Sequence, residues 1–231
     1  MDLLWEGFVE ALRLLTTADP ELVRVAALSL RVSLGATALS ALVGVPAGVA
    51  LATARFPGRA PIEWLVNTGM ALPPVVVGLV VTLLLWRTGP LGALGLLYTP
   101  TAMVVAQFVV AVPLVAGITR SALGLVDPDV LQALRVDGAG ALVAGRELVR
   151  SAMPQVLVAV AAGFGRAISE VGASLMVGGN LLGQTRVLTT AIALETSRGD
   201  FARAIALGIV LLALALVVNA GIHWRARARA V

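Results

Sequence analysis

An all-α membrane protein with about five transmembrane helices and an amphipathic N-terminal helix is predicted by three observations. The first is composition: 59% of the 231 residues are hydrophobic, 13% are charged and the mean hydropathy is +0.97. A soluble domain carries roughly 25% charged residues, so too little polar surface remains here to coat a globule in water. The second is length: uncharged runs cover Val32 to Ala54, Trp64 to Trp86, Thr88 to Thr119 and Ala204 to Trp224. Each meets the roughly 20 apolar residues that a helix needs to cross hydrocarbon. The third is periodicity. A barrel strand alternates polar and apolar residues over about ten positions, whereas these runs are apolar on every side.

Leu4, Phe8, Ala11, Leu12 and Leu15 recur at helical spacing, with Glu6, Glu10 and Arg13 between them. Residues 1–20 therefore read as an interfacial amphipathic helix rather than a span, and their acidic start is unlike the basic start of a cleavable signal. Span one runs from near Glu21 to Ala54 and stops at Arg55-Phe56-Pro57-Gly58-Arg59, where proline and glycine end the helix. At 1.5 Å per residue it overshoots the bilayer and must tilt or protrude. Span two, Ile62 to Trp86, carries Pro73-Pro74 and a predicted kink. Span three begins at Thr99-Pro100, an N-cap followed by proline, and reaches about Leu123.

Residues 121–153 form a connector whose polar part, Asp127 to Met153, has apolar residues at helical spacing, which predicts two short amphipathic helices. Span four, Pro154 to about Val177, is interrupted by Arg166 and Glu170. A connector rich in Gly, Asn and Thr follows from Gly178 to Arg203, and span five ends at Trp224-Arg225-Ala226-Arg227-Ala228-Arg229. No linker divides the chain, so residues 1–231 read as one membrane domain.

All 17 basic residues are arginine and the pI is about 11.1. They are scattered between apolar spans with no aromatic platform, which excludes a nucleic-acid patch. The absence of cysteine excludes disulfides and thiolate metal sites. Arg55, Arg59, Arg120, Arg135, Arg146, Arg150, Arg225, Arg227 and Arg229 fall on one side of the predicted spans; Arg13, Arg24, Arg87, Arg186, Arg198 and Arg203 fall on the other. Cytoplasmic loops carry the basic excess. The N-terminus is accordingly expected outside, the C-terminus inside, and the Asp127 to Met153 connector in the cytoplasm.

Arg166 and Glu170 are four apart, so in a continuous helix they share a face and form an ion pair. Either charge alone near the bilayer centre costs on the order of 2.5 to 3.5 kcal/mol, so both must face inward. A helical wheel sets Gly163, Arg166, Glu170, Ser174 and Val177 on one stripe, with the small residues Gly165 and Gly172 opposite for a neighbouring helix. Two readings remain open for the polar stripe: a clamp between helices, or the lining of a transport path and its gate.

The stretch Gly163-Phe-Gly-Arg-Ala-Ile-Ser-Glu-Val-Gly-Ala-Ser-Leu-Met-Val-Gly-Gly-Asn180 continues through Gly183-Gln-Thr-Arg186 and Leu188-Thr-Thr-Ala-Ile-Ala193 to Phe201. These residues closely resemble the tungstate permeases of bacterial ABC importers and are more distantly similar to molybdate and sulfate permeases. Weaker agreement covers Ser29 to Leu51. The resemblance implies a type I importer permease fold, a two-fold homodimer with the pathway at its seam, a homodimeric ABC ATPase and an extracytoplasmic oxyanion-binding protein. It implies tungstate as substrate, with molybdate or sulfate as alternatives.

Such permeases carry a cytoplasmic coupling pattern of Glu-Ala-Ala, three residues, Gly, then a later apolar residue and Pro. Here Gln132-Ala133-Leu134 stands in the first position, Gly138 is in register and Pro154 lies three places late. The resemblance implies that the helix around Ala133 to Ala144 docks in an ATPase groove. Ala133, Gly138, Ala139 and Gly140 would permit close approach, Arg135, Arg146, Glu147 and Arg150 would form rim contacts, and Asp137 lies in the same segment. There is no Gly-x-x-x-x-Gly-Lys-Ser/Thr loop, so this chain is expected to bind no cofactor and to be non-catalytic, with ATP and Mg on the partner. Asn180, Thr185, Arg186, Thr189 and Thr190 are expected at the outer mouth, where Arg186 would attract an oxyanion.

Other classes fit less well. Ser169, Ser174 and the single His223 do not pair as nucleophile and base. A secondary transporter or channel needs its own ion site and often has repeated halves, and no repeat is evident.

Overall fold

Capping residues, prolines and glycines divide the chain into its helices. The computed structural model describes residues 2–54 and 56–228. Among them the α-helices are α1 (Asp2–Thr16), α2 (Pro20–Thr53), α3 (Arg59–Met70), α4 (Pro74–Leu85), α5 (Pro100–Leu123), α6 (Pro128–Val136), α7 (Ala141–Ser151), α8 (Met153–Ile168), α9 (Gly172–Gly178), α10 (Leu188–Arg198) and α11 (Phe201–Ala228). The Asp19 carboxylate accepts the Leu22 N–H at 2.8 Å and Pro20 occupies the first turn of α2. Thr99 caps α5 as its sequence predicts, accepting the Ala102 N–H at 3.3 Å. Arg55 and Arg229, both counted on the basic side, lie outside the described residues.

Among the described residues three helices are long and apolar enough to cross a membrane: α2, α5 and α11, the last over Phe201–Ile222. Two bent pairs supply the rest, α3 with α4 at 106° and α7 with α8 at 84°. Five spans result when each pair counts once. Span two is therefore broken and not merely kinked, because Pro73 and Pro74 remove adjacent N–H donors from the helical ladder. Span four is not continuous either. α8 ends at Ile168 and α9 is a separate short helix. The Gly178 to Arg203 connector contains α10, and span five begins ahead of Arg203, where the Asp200 carboxylate accepts the Arg203 N–H at 3.1 Å.

α2 and α5 form the central pair. A Cβ on Gly48 would lie 2.7 Å from both the Ala116 carbonyl oxygen and Thr119 Cβ, so only glycine lets these backbones meet. Val32 on α2 joins Val77 and Val81 of α4, Met103, Ala106 and Val110 of α5, and Val177 of α9 in one core. A second core joins α1, α2, α10 and α11 through Leu14, Leu22, Val25, Leu188, Leu207 and Val210. Helical spacing in residues 1–20 groups Ala11 with Leu4, Phe8, Leu12 and Leu15; the structure separates them. Gly7, Ala11 and Leu14 are buried, with Gly7 set against Ile205, while Leu4, Phe8, Leu12 and Leu15 are exposed. α1 thus docks its small side on α11 and presents its bulky side outward.

Candidate functional site

The predicted coupling segment folds as two short amphipathic helices. α6 ends in a Schellman turn: Gly138 takes φ +75° and the Ala139 N–H returns to the Leu134 carbonyl at 2.9 Å. Leu148 of α7 and Ala152 just beyond it pack on Leu123, Val49 and Val126, and Ala144 on the same helix is buried. Gln132, Ala133, Asp137, Gly138, Gly140 and Arg146 are exposed; Leu134, Ala139 and Glu147 are half-buried. The Arg135 side chain lies outside the described residues. Two residues that the motif comparison passed over dominate the tip, Val136 at 86% and Leu142 at 91% exposed. Their signal in the sequence is an apolar side chain standing on either side of the Asp137 to Gly140 turn.

At the end of the bundle where α7 packs on Leu123 of α5, Glu63 of α3 joins two helices. Its carboxylate accepts from Arg59 at 2.7 Å and lies 3.1 Å from Arg120 of α5. At the opposite end Glu21 of α2 lies 3.4 Å from Arg186 and 3.2 Å from Arg203 of α11. The arginines that the sequence grouped by side are thus grouped by bundle end: Arg59 with Arg120, and Arg186 with Arg203.

The polar stripe of span four is rearranged. Arg166 and Glu170 make no ion pair, because the helix stops between them at Ile168. Arg166 donates instead to the Leu72 carbonyl at 3.5 Å, a backbone group at the break between α3 and α4. Glu170 is buried; its carboxylate accepts the Ala173 N–H at 2.8 Å in the first turn of α9, and its carbonyl accepts from Thr189 at 2.9 Å. Ser174 is buried too and accepts from Gln107 of α5 at 3.2 Å. Gly163 packs on Val115, and Gly172 on Val75. Gly165, expected on the small face, has no neighbour that a Cβ would touch. The two interrupted helices therefore hold each other at their breaks, and the stripe residues Gly163, Arg166, Glu170 and Ser174 do not line one surface, while Val177 joins the core.

The connector after α9 is also not a solvated loop. Gly179 and Asn180 both take positive φ, +67° and +51°. Thr185 is buried and its hydroxyl donates to the Gly178 carbonyl while accepting the Leu181 N–H at 3.0 Å. The Leu188 N–H donates to Ser29 on α2 at 2.8 Å. Thr189 and Thr190 are buried, and Asn180 donates to the Thr190 carbonyl at 3.4 Å. Of the residues expected at an outer mouth, Arg186 reaches an open cleft, which it shares with Arg24 and Arg31. Arg31, one residue ahead of the Val32 to Ala54 run, had been assigned to neither side.

Residues 44–229 match the family described as binding-protein-dependent transport system inner membrane component. The chain is 41% identical over 223 residues to the tungstate uptake system permease protein TupB of Peptoclostridium acidaminophilum, covering 96% of this chain and 98% of that one. It is 33% identical over 219 residues to the TupB of Campylobacter jejuni, covering 95% and 92% respectively. Its fold resembles the membrane subunit of a solved inward-facing MetNI methionine ABC transporter, with a TM-score of 0.73 at 22% identity over 90% of this chain and 95% of that chain.

Proposed function

Because this chain belongs to the family of binding-protein-dependent transport system inner membrane components, we propose that it is the subunit through which an ATP-driven importer passes tungstate. It is a permease subunit of an ABC oxyanion importer, a multi-pass membrane component that works with an ATPase and a substrate-binding protein. The reading is carried by its agreement with a tungstate permease over nearly the whole of both chains.

In this reading two copies meet about a two-fold axis with the pathway between them. ATP and Mg reside on a homodimeric ATPase, and the permease supplies no catalytic group. Val136 and Leu142 enter a groove of the ATPase on either side of the Gly138 turn, with Gln132, Arg146 and Glu147 at the rim. An apolar tip so exposed on a cytoplasmic connector favours a protein partner. Orientation follows: the end bearing Arg59, Arg120 and α6–α7 faces the cytoplasm, the N-terminus lies outside and the C-terminus inside. The exposed side of α1 rests in the outer membrane interface.

Coupling then has a physical route. α8 follows α7 across the 84° bend, so a pull on the α6–α7 tip moves Arg166 relative to the Leu72 carbonyl. That contact is the latch between the interrupted helices, and its release opens the pathway near Glu170 and Ser174.

Proteoliposomes holding the permease, its ATPase and its binding protein are expected to accumulate tungstate only with ATP and Mg. Accumulation by the permease alone would replace this reading with a secondary transporter or channel. Calorimetry of the binding protein identifies the anion: molybdate or sulfate binding tenfold tighter than tungstate would change the assigned substrate.

A further inference from the structure

A guanidinium inside a membrane-crossing helix needs water, protein or a counter-ion beside it, because hydrocarbon solvates it poorly. The first part of α2, ahead of its uncharged run, carries two for which the protein supplies no partner. Arg24 and Arg31 are seven residues apart, so they lie on one helix face about 10 Å apart along the axis. Both are exposed, and among the described residues neither makes a hydrogen bond or ion pair. Arg31 stands well inside a 34-residue apolar helix.

The two arginines line a cleft of about 640 Å³ between α2, the 182–186 loop and the start of α5. Arg186 forms a further wall. Its side chain is only 13% exposed, one terminal nitrogen reaches Glu21 at 3.4 Å, and its buried Nε has no hydrogen-bond partner. Two carboxylates also line the cleft, and both are engaged. Asp19 caps α2, and Glu21 is shared by Arg186 and Arg203. Positive charge is therefore in surplus, and Pro100 brings the first turn of the 24-residue α5, with its positive dipole end, to the same hollow.

We propose that this cleft is an oxyanion site, with Arg24 and Arg31 as its free cations and the Arg186 guanidinium as a further positive charge in its wall. The guanidinium fork suits paired oxygens on one centre, as in a tetrahedral oxyanion or a phosphate. Two sources share that chemistry: the transported oxyanion in free form, and the phosphate of a lipid headgroup. Only the first source rests on the permease reading; the site itself does not. Two cations stacked along one face draw such a group inward from the bundle end.

The test uses the full-length chain in phosphatidylcholine nanodiscs. One arm measures retained sodium tungstate by equilibrium dialysis in 0.15 M chloride, near physiological ionic strength. The other measures retained phosphatidylglycerol by native mass spectrometry. Wild type is expected to retain at least one of the two probes. Arg24→Gln with Arg31→Gln is expected to weaken that retention at least tenfold, and Arg198→Gln, at an exposed arginine paired with Glu195, is expected to leave it unchanged. Because both glutamines face the cleft and not the core, folding is checked by an unchanged thermal midpoint; Arg31→Lys, which keeps the charge and loses the fork, should fall between the two. Retention of tungstate alone assigns the free anion, and retention of the lipid alone assigns the headgroup. Retention of neither, or retention that survives the double substitution, overturns the site. ATP-driven uptake in the wild type with neither probe retained would remove the site while leaving the permease reading in place.

Discussion

At each end of the bundle one glutamate sits between two arginines, but the surroundings of the two clamps differ. Glu63 ties α3 to α5 at the end of the bundle that also carries the exposed turn tipped by Val136 and Leu142. Glu21 ties α2 to α11 and to the 182–186 loop beside a hollow lined by unpaired arginines. The same ionic device thus serves two purposes. One end offers apolar relief suited to a protein groove, and the other offers a cationic recess suited to an anion. A charge count alone makes the two ends alike; only the shape around each clamp separates them.

The strongest way to break this contrast is to remove the apolar relief. Val136→Asp with Leu142→Asp is expected to lower ATP-driven uptake in proteoliposomes at least tenfold while membrane accumulation and thermal stability stay at wild-type levels, since both side chains are exposed. Uptake within twofold of wild type would refute a docking role for the tip. A smaller effect is expected from Gly138→Ala. A left-handed residue with a Cβ is strained by about 1 kcal/mol, enough to depopulate the docking geometry several-fold, and uptake should fall while the permease remains folded by circular dichroism. Smaller still, and directed at the clamps themselves, is the pair Glu63→Gln and Glu21→Gln. The Glu63 side chain is 19% exposed and Glu21 41%, so the first should lower the thermal midpoint by roughly 2–4 °C and the second by less than about 2 °C. Equal shifts would show that burial does not distinguish the two ends.

Much of this fold is legible in the chain because the decisive signals are local. Asp19-Pro20 and Thr99-Pro100 start α2 and α5 through caps that any sequence reading can find. The two helices of the coupling connector follow from apolar spacing. What was not legible depends on distant partners. Arg166 and Glu170 look like an i,i+4 pair until Glu170 turns to the Ala173 N–H and Arg166 to the Leu72 carbonyl, 94 residues away. Thr185 and Thr189 look like polar loop residues, but their hydroxyls satisfy backbone groups exposed where α9 ends and begins. Arg31 is not legible in the sequence because a single charge at the edge of an uncharged run carries no pattern; its meaning comes from Arg24 on the same face and Arg186 across the cleft.

The bond between Ser29 and the Leu188 N–H spans 159 residues, and the Glu21 to Arg203 contact spans 182. At about 5–20 residues per second of ribosomal synthesis, α2 emerges roughly ten to thirty seconds before these partners exist. During that interval Glu21 and Ser29, on the polar flank of the first long helix, lack the partners they have in the finished fold. α2 therefore enters the bilayer before Leu188 and Arg203 can cover its polar flank, and its early residence there rests on the helix alone.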